Sequence, residues 1–180
     1  MDDTRHSGFT LIELLLTVAL VALLAGLAVP AMARFADGQR LRGAAEALAQ
    51  ELRQARNHAL SYQKTTYFSV STPSPQQWCF GWSDAEKCDC HKEHGNTNAC
   101  ESGAAGSTRL HRQLSNAYPS ITLSLSRSAS NRYLQFSALR GTASADTLVV
   151  TNNAGELRII VSPLGRIRTC SVSTRGYPAC

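Results

Sequence analysis

Charged side chains are nearly absent from a long stretch near the start of this chain. Between Phe9 and Ala33 the only charged residue among 25 is Glu13, and the apolar run continues to Met32. A helix of that length would span the roughly 30 Å hydrocarbon core of a bilayer, because each residue adds about 1.5 Å. A carboxylate near one end of such a helix is costly in lipid, so it indicates a function.

The marks of a secretory signal peptide are also missing. No small-x-small cleavage site precedes a polar mature start, and the apolar run is too long for the core of a signal peptide. The leader Met1–Ser7 is very short and carries charges of both signs. An ordinary N-terminal anchor would explain the length of the apolar run but not Glu13.

A specific motif lies where the leader meets the apolar run: Ser7-Gly8-Phe9-Thr10-Leu11-Ile12-Glu13. It resembles the class III signal of type IV pilins and type II secretion pseudopilins. The resemblance implies that a prepilin peptidase removes residues 1–8 by cutting between Gly8 and Phe9 and methylates Phe9. It also implies that Glu13 neutralises the N-terminal amine of a neighbouring subunit during assembly, since a buried charge needs a partner. The alternative for Glu13 is a carboxylate that reaches the membrane surface.

After the apolar run the helical period continues, and beyond Lys64 a period of two replaces it. One helix over about 9–62 is predicted, with residues 9–35 in the membrane and 36–180 forming a globular domain. Its predicted inner face is Leu41, Ala45, Leu48, Leu52, Ala55, Ala59 and Tyr62, and its polar side is Arg42, Glu46, Gln50, Arg53 and Asn57.

The strands predicted from the period of two are 65–71, 77–82, 108–111, 121–126, 133–137, 147–151, 157–162 and 166–172. Asn152-Asn153-Ala154-Gly155 between two apolar runs predicts a hairpin turn. One helix followed by consecutive strands predicts an α+β fold, with the helix packed on mostly antiparallel sheet. This is the architecture of type IV pilins.

No cysteine occurs before Cys79, so all six would lie outside the inner membrane if the pilin signal is correct. Disulfides persist there. Cys170 and Cys180 are predicted to pair and to stabilise the domain by roughly 2–4 kcal/mol. Cys79, Cys88, Cys90 and Cys100 allow three pairings; Cys79–Cys88 with Cys90–Cys100 and a nested Cys79–Cys100 cannot be distinguished.

Zinc is the alternative for the cysteine-rich segment. The run from Cys88 to His94, followed by Cys100, contains the ligand types that zinc takes. Cys-x-Cys is not the usual zinc spacing, however, and the compartment is oxidising. We therefore predict disulfides, with no metal and no cofactor.

Lysine is absent from residues 101–180, which carry nine arginines and only three acidic residues, Glu101, Asp146 and Glu156. Arginine favours bidentate contact with phosphate or carboxylate, so the composition indicates an anionic partner.

One short motif in this half, Gly165-Arg166-Ile167-Arg168, brings two of these arginines close together in sequence. If 166–172 is a strand, Arg166 and Arg168 lie on one face about 6.6 Å apart, near the spacing of successive phosphates. Two solvated edge-strand arginines are the alternative.

The helix, the strand ladder and the ending Val161-Ser162-Pro163-Leu164-Gly165-Arg166-Ile167-Arg168 resemble the FimT/GspH family of minor pilins and pseudopilins. FimT-type members carry a C-terminal Gly-Arg-x-Arg motif implicated in binding DNA. The resemblance implies non-specific DNA binding by Gly165, Arg166 and Arg168, for uptake in natural transformation; Arg175 could extend the patch. A type II secretion pseudopilin, or a structural minor pilin that primes assembly, is the alternative.

The resemblance also implies the partners and the location. The partners are major and minor pilins, the prepilin peptidase, the inner-membrane assembly platform and DNA. The location is the inner membrane, spanned once with a periplasmic domain, and then the pilus at the cell surface. An enzyme is not predicted, because no nucleophile elbow, phosphate loop or metalloprotease signature accompanies His91 and His94.

Overall fold

The structure is a computed structural model that describes residues 10–84, 87–103, 108–126, 131–172, 174 and 176–180. By its internal contacts the chain divides into two units, Met1–Ala36 and Asp37–Cys180. The division falls one residue after the predicted boundary between 35 and 36. The two units are described separately below.

The described part of the first unit is helical. Helix α1 (Leu11–Ser61) starts here, and the side chains described between Thr10 and Phe35 are exposed. Thr10 caps the helix: its Oγ1 accepts a hydrogen bond from the Glu13 N–H at 3.4 Å, and its carbonyl accepts from Glu13 and Leu14. The mean hydropathy reaches 2.6 over an 18-residue window of α1, so by length and composition the helix could cross a membrane.

The second unit contains the rest of α1 and all of the strands. Six of the seven predicted inner-face residues are buried, from Leu41 to Ala59. Tyr62 was wrongly predicted to join them, because it lies beyond the last helical residue, Ser61, and is 68% exposed. Its ring stacks instead on His58, with the ring centroids 4.4 Å apart.

Among the described residues all pairs of strands are antiparallel, and the strands form two four-stranded sheets and one small pair. The strands are β1 (Thr66–Ser74), β2 (Gln77–Ser83), β3 (Glu101–Ser102), β4 (Arg109–Leu110), β5 (Arg112–Leu114), β6 (Thr122–Leu125), β7 (Asn131–Phe136), β8 (Asp146–Asn152), β9 (Gly155–Val161) and β10 (Ile167–Ser171). One sheet has the order β5-β2-β1-β7, the other β10-β9-β8-β6, and β3 pairs with β4. A 3-10 helix, Ser115–Ala117, precedes β6.

One hydrophobic core joins α1 to both sheets. Phe68 and Phe80 of the first sheet and Leu148 and Ile159 of the second belong to the same buried cluster as Leu48 of α1. The alternating burial of β8 and β9 gives each strand one face toward this core. The predicted α+β fold, with a helix packed on antiparallel sheet, is confirmed.

The hairpin between β8 and β9 is also as predicted. Asn152 pairs with Gly155, and the Ala154 N–H donates to the Asn152 side-chain oxygen at 2.8 Å. The strand predicted at 108–111 was wrong in its extent, because it divides at His111 into β4 and β5. The His111 N–H donates to the Cys100 carbonyl at 2.7 Å, and the His111 carbonyl accepts from Trp82 at 3.1 Å, so this residue bonds to two different segments.

Candidate functional site

A tight turn joins β9 to β10 and carries the arginine motif. The Gly165 N–H donates to the Ser162 carbonyl at 2.9 Å, and the Ser162 N–H donates to the Arg166 carbonyl at 3.0 Å. The Arg166 N–H donates to the Ser162 hydroxyl at 3.1 Å. The N–H groups of Gly165 and Arg166 are therefore engaged in hydrogen bonds within the turn.

Arg166 was wrongly predicted to lie inside a strand, because β10 begins one residue later, at Ile167. Arg166 and Arg168 are both exposed, and Ile167 between them is half-buried. Within the described part of the chain, neither guanidinium forms an ion pair. The two cations are thus available to an anion from solution.

Gly165 is required by its surroundings. Its φ of +74° is a conformation that residues with a side chain rarely adopt, and an added Cβ would overlap the carbonyl oxygen of Gly141. The same Cβ would lie 2.7 Å from Nε of Arg56. The turn therefore sits directly against the Gly141 loop and the helix.

Arg56 of α1 connects these parts. Its Nε donates to the Gly141 carbonyl at 3.2 Å, across 85 residues of sequence. Arg53, Arg56 and Asn57, at helical spacings of three and four, line one wall of a groove of about 390 Å³, and Leu164–Ile167 line the other. The sequence placed Arg53 and Asn57 on the solvent side of the helix and did not single out Arg56. Their helical spacing was the one signal in the sequence that they share a face of the helix.

The remaining predicted site residues are placed as follows. Gly8, Phe9 and Arg175 lie outside the described residues. Glu13 is exposed near the start of α1, where its backbone N–H bonds to Thr10. Tyr177, in the loop closed by Cys170 and Cys180, is half-buried and packs against the core.

All six cysteines form disulfides. Cys170 pairs with Cys180, the pair favoured on sequence, and Cys79 pairs with Cys90 and Cys88 with Cys100. These last two bonds interleave, so neither of the two pairings named in the sequence analysis occurs. Cys79, Cys90 and His91 lie close enough to hold a metal ion, but both thiols of this group are oxidised in a disulfide.

A second cavity, of about 660 Å³, is lined by His58, Trp82, Asp84 and His111, among others. The His111 ring stacks on Trp82 with centroids 3.7 Å apart, and its Nε2 lies 2.9 Å from the Ser102 hydroxyl. Burial, followed by the nearby His58 and Arg109, lowers the pKa of His111 to about 4. Burial also lowers the pKa of His58, although Asp84 opposes this shift. Both imidazoles are therefore neutral at pH 7.

Comparison with known proteins yields two family models. The model described as "Type II transport protein GspH" matches residues 44–165. The model described as "Prokaryotic N-terminal methylation motif" matches residues 3–29. Together they cover the apolar N-terminus and most of the globular unit.

Three individual proteins resemble this chain, each at low sequence identity or over only part of its length. Type II secretion system protein H of Xanthomonas campestris pv. campestris is 38% identical over 71 residues, 39% of this chain and 41% of the relative, so the match spans about two fifths of that protein. The type IV minor pilin FimU of Pseudomonas aeruginosa is 18% identical with a TM-score of 0.45, over 74% of this chain and 90% of that one. The minor pseudopilin EpsH of the Vibrio cholerae type 2 secretion system is 12% identical with a TM-score of 0.47, over 75% and 99%.

The GspH model matches well over half of the chain. The methylation motif and the apolar helix fit a membrane-anchored pilin. The chain therefore belongs to the GspH family: it is a minor pilin or pseudopilin and not an enzyme.

Proposed function

We propose that this protein is a minor type IV pilin that binds DNA through the C-terminal Arg166 and Arg168, for uptake in natural transformation. The observation that carries the proposal is that Arg166 in the turn and Arg168 at the start of β10 are both exposed and form no ion pair among the described residues. Gly165 allows the turn to pack closely on Gly141, which holds the two arginines on a rigid support. Arg175 is proposed to assist them.

The binding mode is contact with the phosphate backbone. DNA taken up for transformation has arbitrary sequence, so the affinity must come from phosphates, which carry no sequence information. Two to four arginines predict a slope of log affinity against log salt of about −2 to −4, with a dissociation constant near the non-specific range of about 10⁻⁴ to 10⁻⁶ M. Several subunits at a filament tip would add avidity.

The route to the filament is part of the proposal. The prepilin peptidase cuts between Gly8 and Phe9 and methylates Phe9, and residues 9–35 hold the subunit in the inner membrane with 36–180 in the periplasm. The assembly platform then transfers it to the pilus. There Glu13 neutralises the terminal amine of an adjacent subunit.

The test uses residues 36–180, purified with their disulfides intact. All of the buried apolar residues described lie at Leu41 or beyond, so this fragment retains the whole core. Fluorescence anisotropy with unrelated duplexes of equal length should give equal affinities, and the Arg166→Gln/Arg168→Gln double variant should bind about tenfold or more weakly with a salt slope smaller by about 2.

The matched control is Arg40→Gln/Lys92→Gln, which removes the same charge from two residues outside the β9–β10 sheet: Arg40 pairs with Asp37, and Lys92 lies in the cysteine-rich segment, where its Nζ donates to the Thr97 carbonyl. Its affinity should stay within about twofold of the parent, since distant charges are screened. Equal losses in both double variants would mean that net charge alone drives binding and would remove the motif from the mechanism.

A type II secretion pseudopilin is the second candidate, and the match to type II secretion system protein H supports it. Deletion in the native host separates the two. Loss of DNA uptake with intact protein secretion supports the first function, whereas loss of exoprotein secretion supports the second.

A further inference from the structure

We propose that Arg53 and Arg56 of α1 complete the site begun by Arg166, so that the groove between the helix and the β9–β10 turn holds one backbone phosphate of DNA. This inference rests on the proposed function and extends it to residues outside the C-terminal motif. Three of the seven residues that line the groove are arginines, and they come from two segments more than 100 positions apart in sequence.

The size of the groove suits a hydrated phosphate. Its volume of about 390 Å³ would hold roughly a dozen water molecules at about 30 Å³ each. One wall is the helix face with Arg53, Arg56 and Asn57, and the other is the turn at Gly165 and Arg166. An anion in this space can be reached from both walls.

The charge in the groove is not neutralised by the described residues. Arg53 has a single ion pair, with Glu46 at 3.9 Å, and both side chains are about half exposed, so that pair contributes little. Arg56 uses its Nε for the Gly141 carbonyl and forms no ion pair within the described ranges. Guanidinium groups stay protonated, so three neighbouring cations favour an anion between them.

The groove is also held in shape before any ligand arrives. Gly141 and Gly165 both have positive φ, +60° and +74°, and Nε of Arg56 lies within 3.2 Å of the position that a Cβ would take on either residue. The hydrogen bond from Arg56 to Gly141 thus ties the helix to the loop that supports the turn. A preformed site avoids the entropy cost of ordering loops on binding.

Phosphate is the anion that the arrangement favours, and DNA is its source. Planar guanidinium groups bind phosphate oxygens through paired hydrogen bonds. Arg166 lines the groove and is also one of the two exposed arginines of the motif, so a phosphate in the groove would continue the backbone that Arg168 contacts. Arg53 and Arg56 would then add a phosphate contact to those of Arg166 and Arg168, so that the protein contacts a longer stretch of DNA.

The test compares Arg53→Gln with Arg40→Gln in residues 36–180. Both remove one arginine charge from the same helix, about 20 Å apart along its axis. Arg53→Gln should weaken binding to a duplex about threefold to tenfold and reduce the salt slope by about 1, whereas Arg40→Gln should change affinity by less than about twofold. Arg53→Lys, which keeps the charge, should retain most of the affinity.

A second measurement separates this inference from the proposed function. In a ¹H–¹⁵N NMR titration of the parent fragment with inorganic phosphate, the amides of Gly165 and Arg166 should shift, and the shifts should shrink in Arg53→Gln. If no duplex binds even at low salt, the proposed function fails while the phosphate titration still tests the groove. If DNA binding needs Arg166 and Arg168 but Arg53→Gln behaves like Arg40→Gln, the groove assignment alone is wrong.

Discussion

His111 shows how a single residue can couple this fold to pH. Its imidazole stacks on Trp82 and contacts Ser102, and burial is the main cause that lowers its pKa from 6.5 to about 4. No local pattern in the sequence links His111 to His58, because the two lie 53 positions apart and the fold brings both rings against Trp82. Contacts made by long-range folding leave no local pattern.

The shift predicts a loss of stability in mild acid. Between pH 6.5 and 4 the unfolded chain binds a proton at position 111 that the folded chain does not, so the free energy of unfolding should fall as the pH falls through this window. The expected loss is about 1–2 kcal/mol after allowing for the partial exposure of the ring. His58 acts in the same direction, because its pKa is also lowered.

Urea unfolding of residues 36–180 at pH 7.0, 5.5 and 4.5 measures this effect. His111→Phe keeps a ring against Trp82 but cannot titrate, so its unfolding free energy should depend less on pH than that of the parent. Leu139→Ala, at an exposed position that does not titrate, is the control and should leave the pH dependence unchanged. A steeper acid loss in His111→Phe than in the parent would contradict the assignment.

At the scale of elements, the disulfide between Cys170 and Cys180 fastens the C-terminal segment to β10. The Ser171 N–H donates to the Pro178 carbonyl at 2.9 Å, and the Cys180 N–H donates to the Ser171 carbonyl at 3.3 Å. Tyr177 packs against the core in the loop that the disulfide closes. The segment is therefore tied to the strand that carries Arg168.

Removing this disulfide by Cys170→Ala/Cys180→Ala should lower the free energy of unfolding by about 2–3 kcal/mol, the loop-closure value for about ten residues. Chemical denaturation of the fragment measures the change. DNA affinity should fall by less than in Arg166→Gln/Arg168→Gln, because the β9–β10 turn is held by its own hydrogen bonds. If the free energy of unfolding did not fall, the two backbone hydrogen bonds between Ser171 and the C-terminal segment would be sufficient to hold that segment.

The elements differ in how far the sequence could predict them. The buried face of α1 and the Asn152–Gly155 hairpin follow from local periodicity and turn chemistry, and both are as expected. The pairing of Cys79 with Cys90 and of Cys88 with Cys100 could not follow, because all three connectivities are compatible with the spacing. The division of the predicted strand at His111 depends on Cys100 and Trp82, which only the folded chain brings near.

The candidate site, too, could be predicted from the sequence only in part. The sequence singled out Gly165, Arg166 and Arg168 because they are adjacent, but it assigned Arg53 to the solvated side of the helix. That side is polar in any amphipathic helix, so its residues carry no sign of what folds against them. The reason for Gly165 was likewise hidden, since it lies in the contact with Gly141.

For the whole molecule, the proposed function requires a subunit that passes from the membrane into a filament, and two roles can be assigned to Glu13 in that passage. One is the proposed neutralisation of a neighbouring amine. The other is local: Thr10 and Glu13 occupy the first and fourth positions of a capping box, and the Glu13 N–H bonds to the Thr10 hydroxyl. Loss of the side chain in Glu13→Ala would disturb both.

Glu13→Gln separates the two roles, because glutamine can complete the capping box but carries no charge. If neutralisation is the role, Glu13→Gln in the native host should be cleaved normally, with Phe9 first by N-terminal sequencing, and should be inserted in the membrane. It should nevertheless be nearly absent from sheared filaments, as should Glu13→Ala. Normal incorporation of Glu13→Gln together with loss of Glu13→Ala would instead assign Glu13 to the start of the helix, and the terminal amine would need another partner.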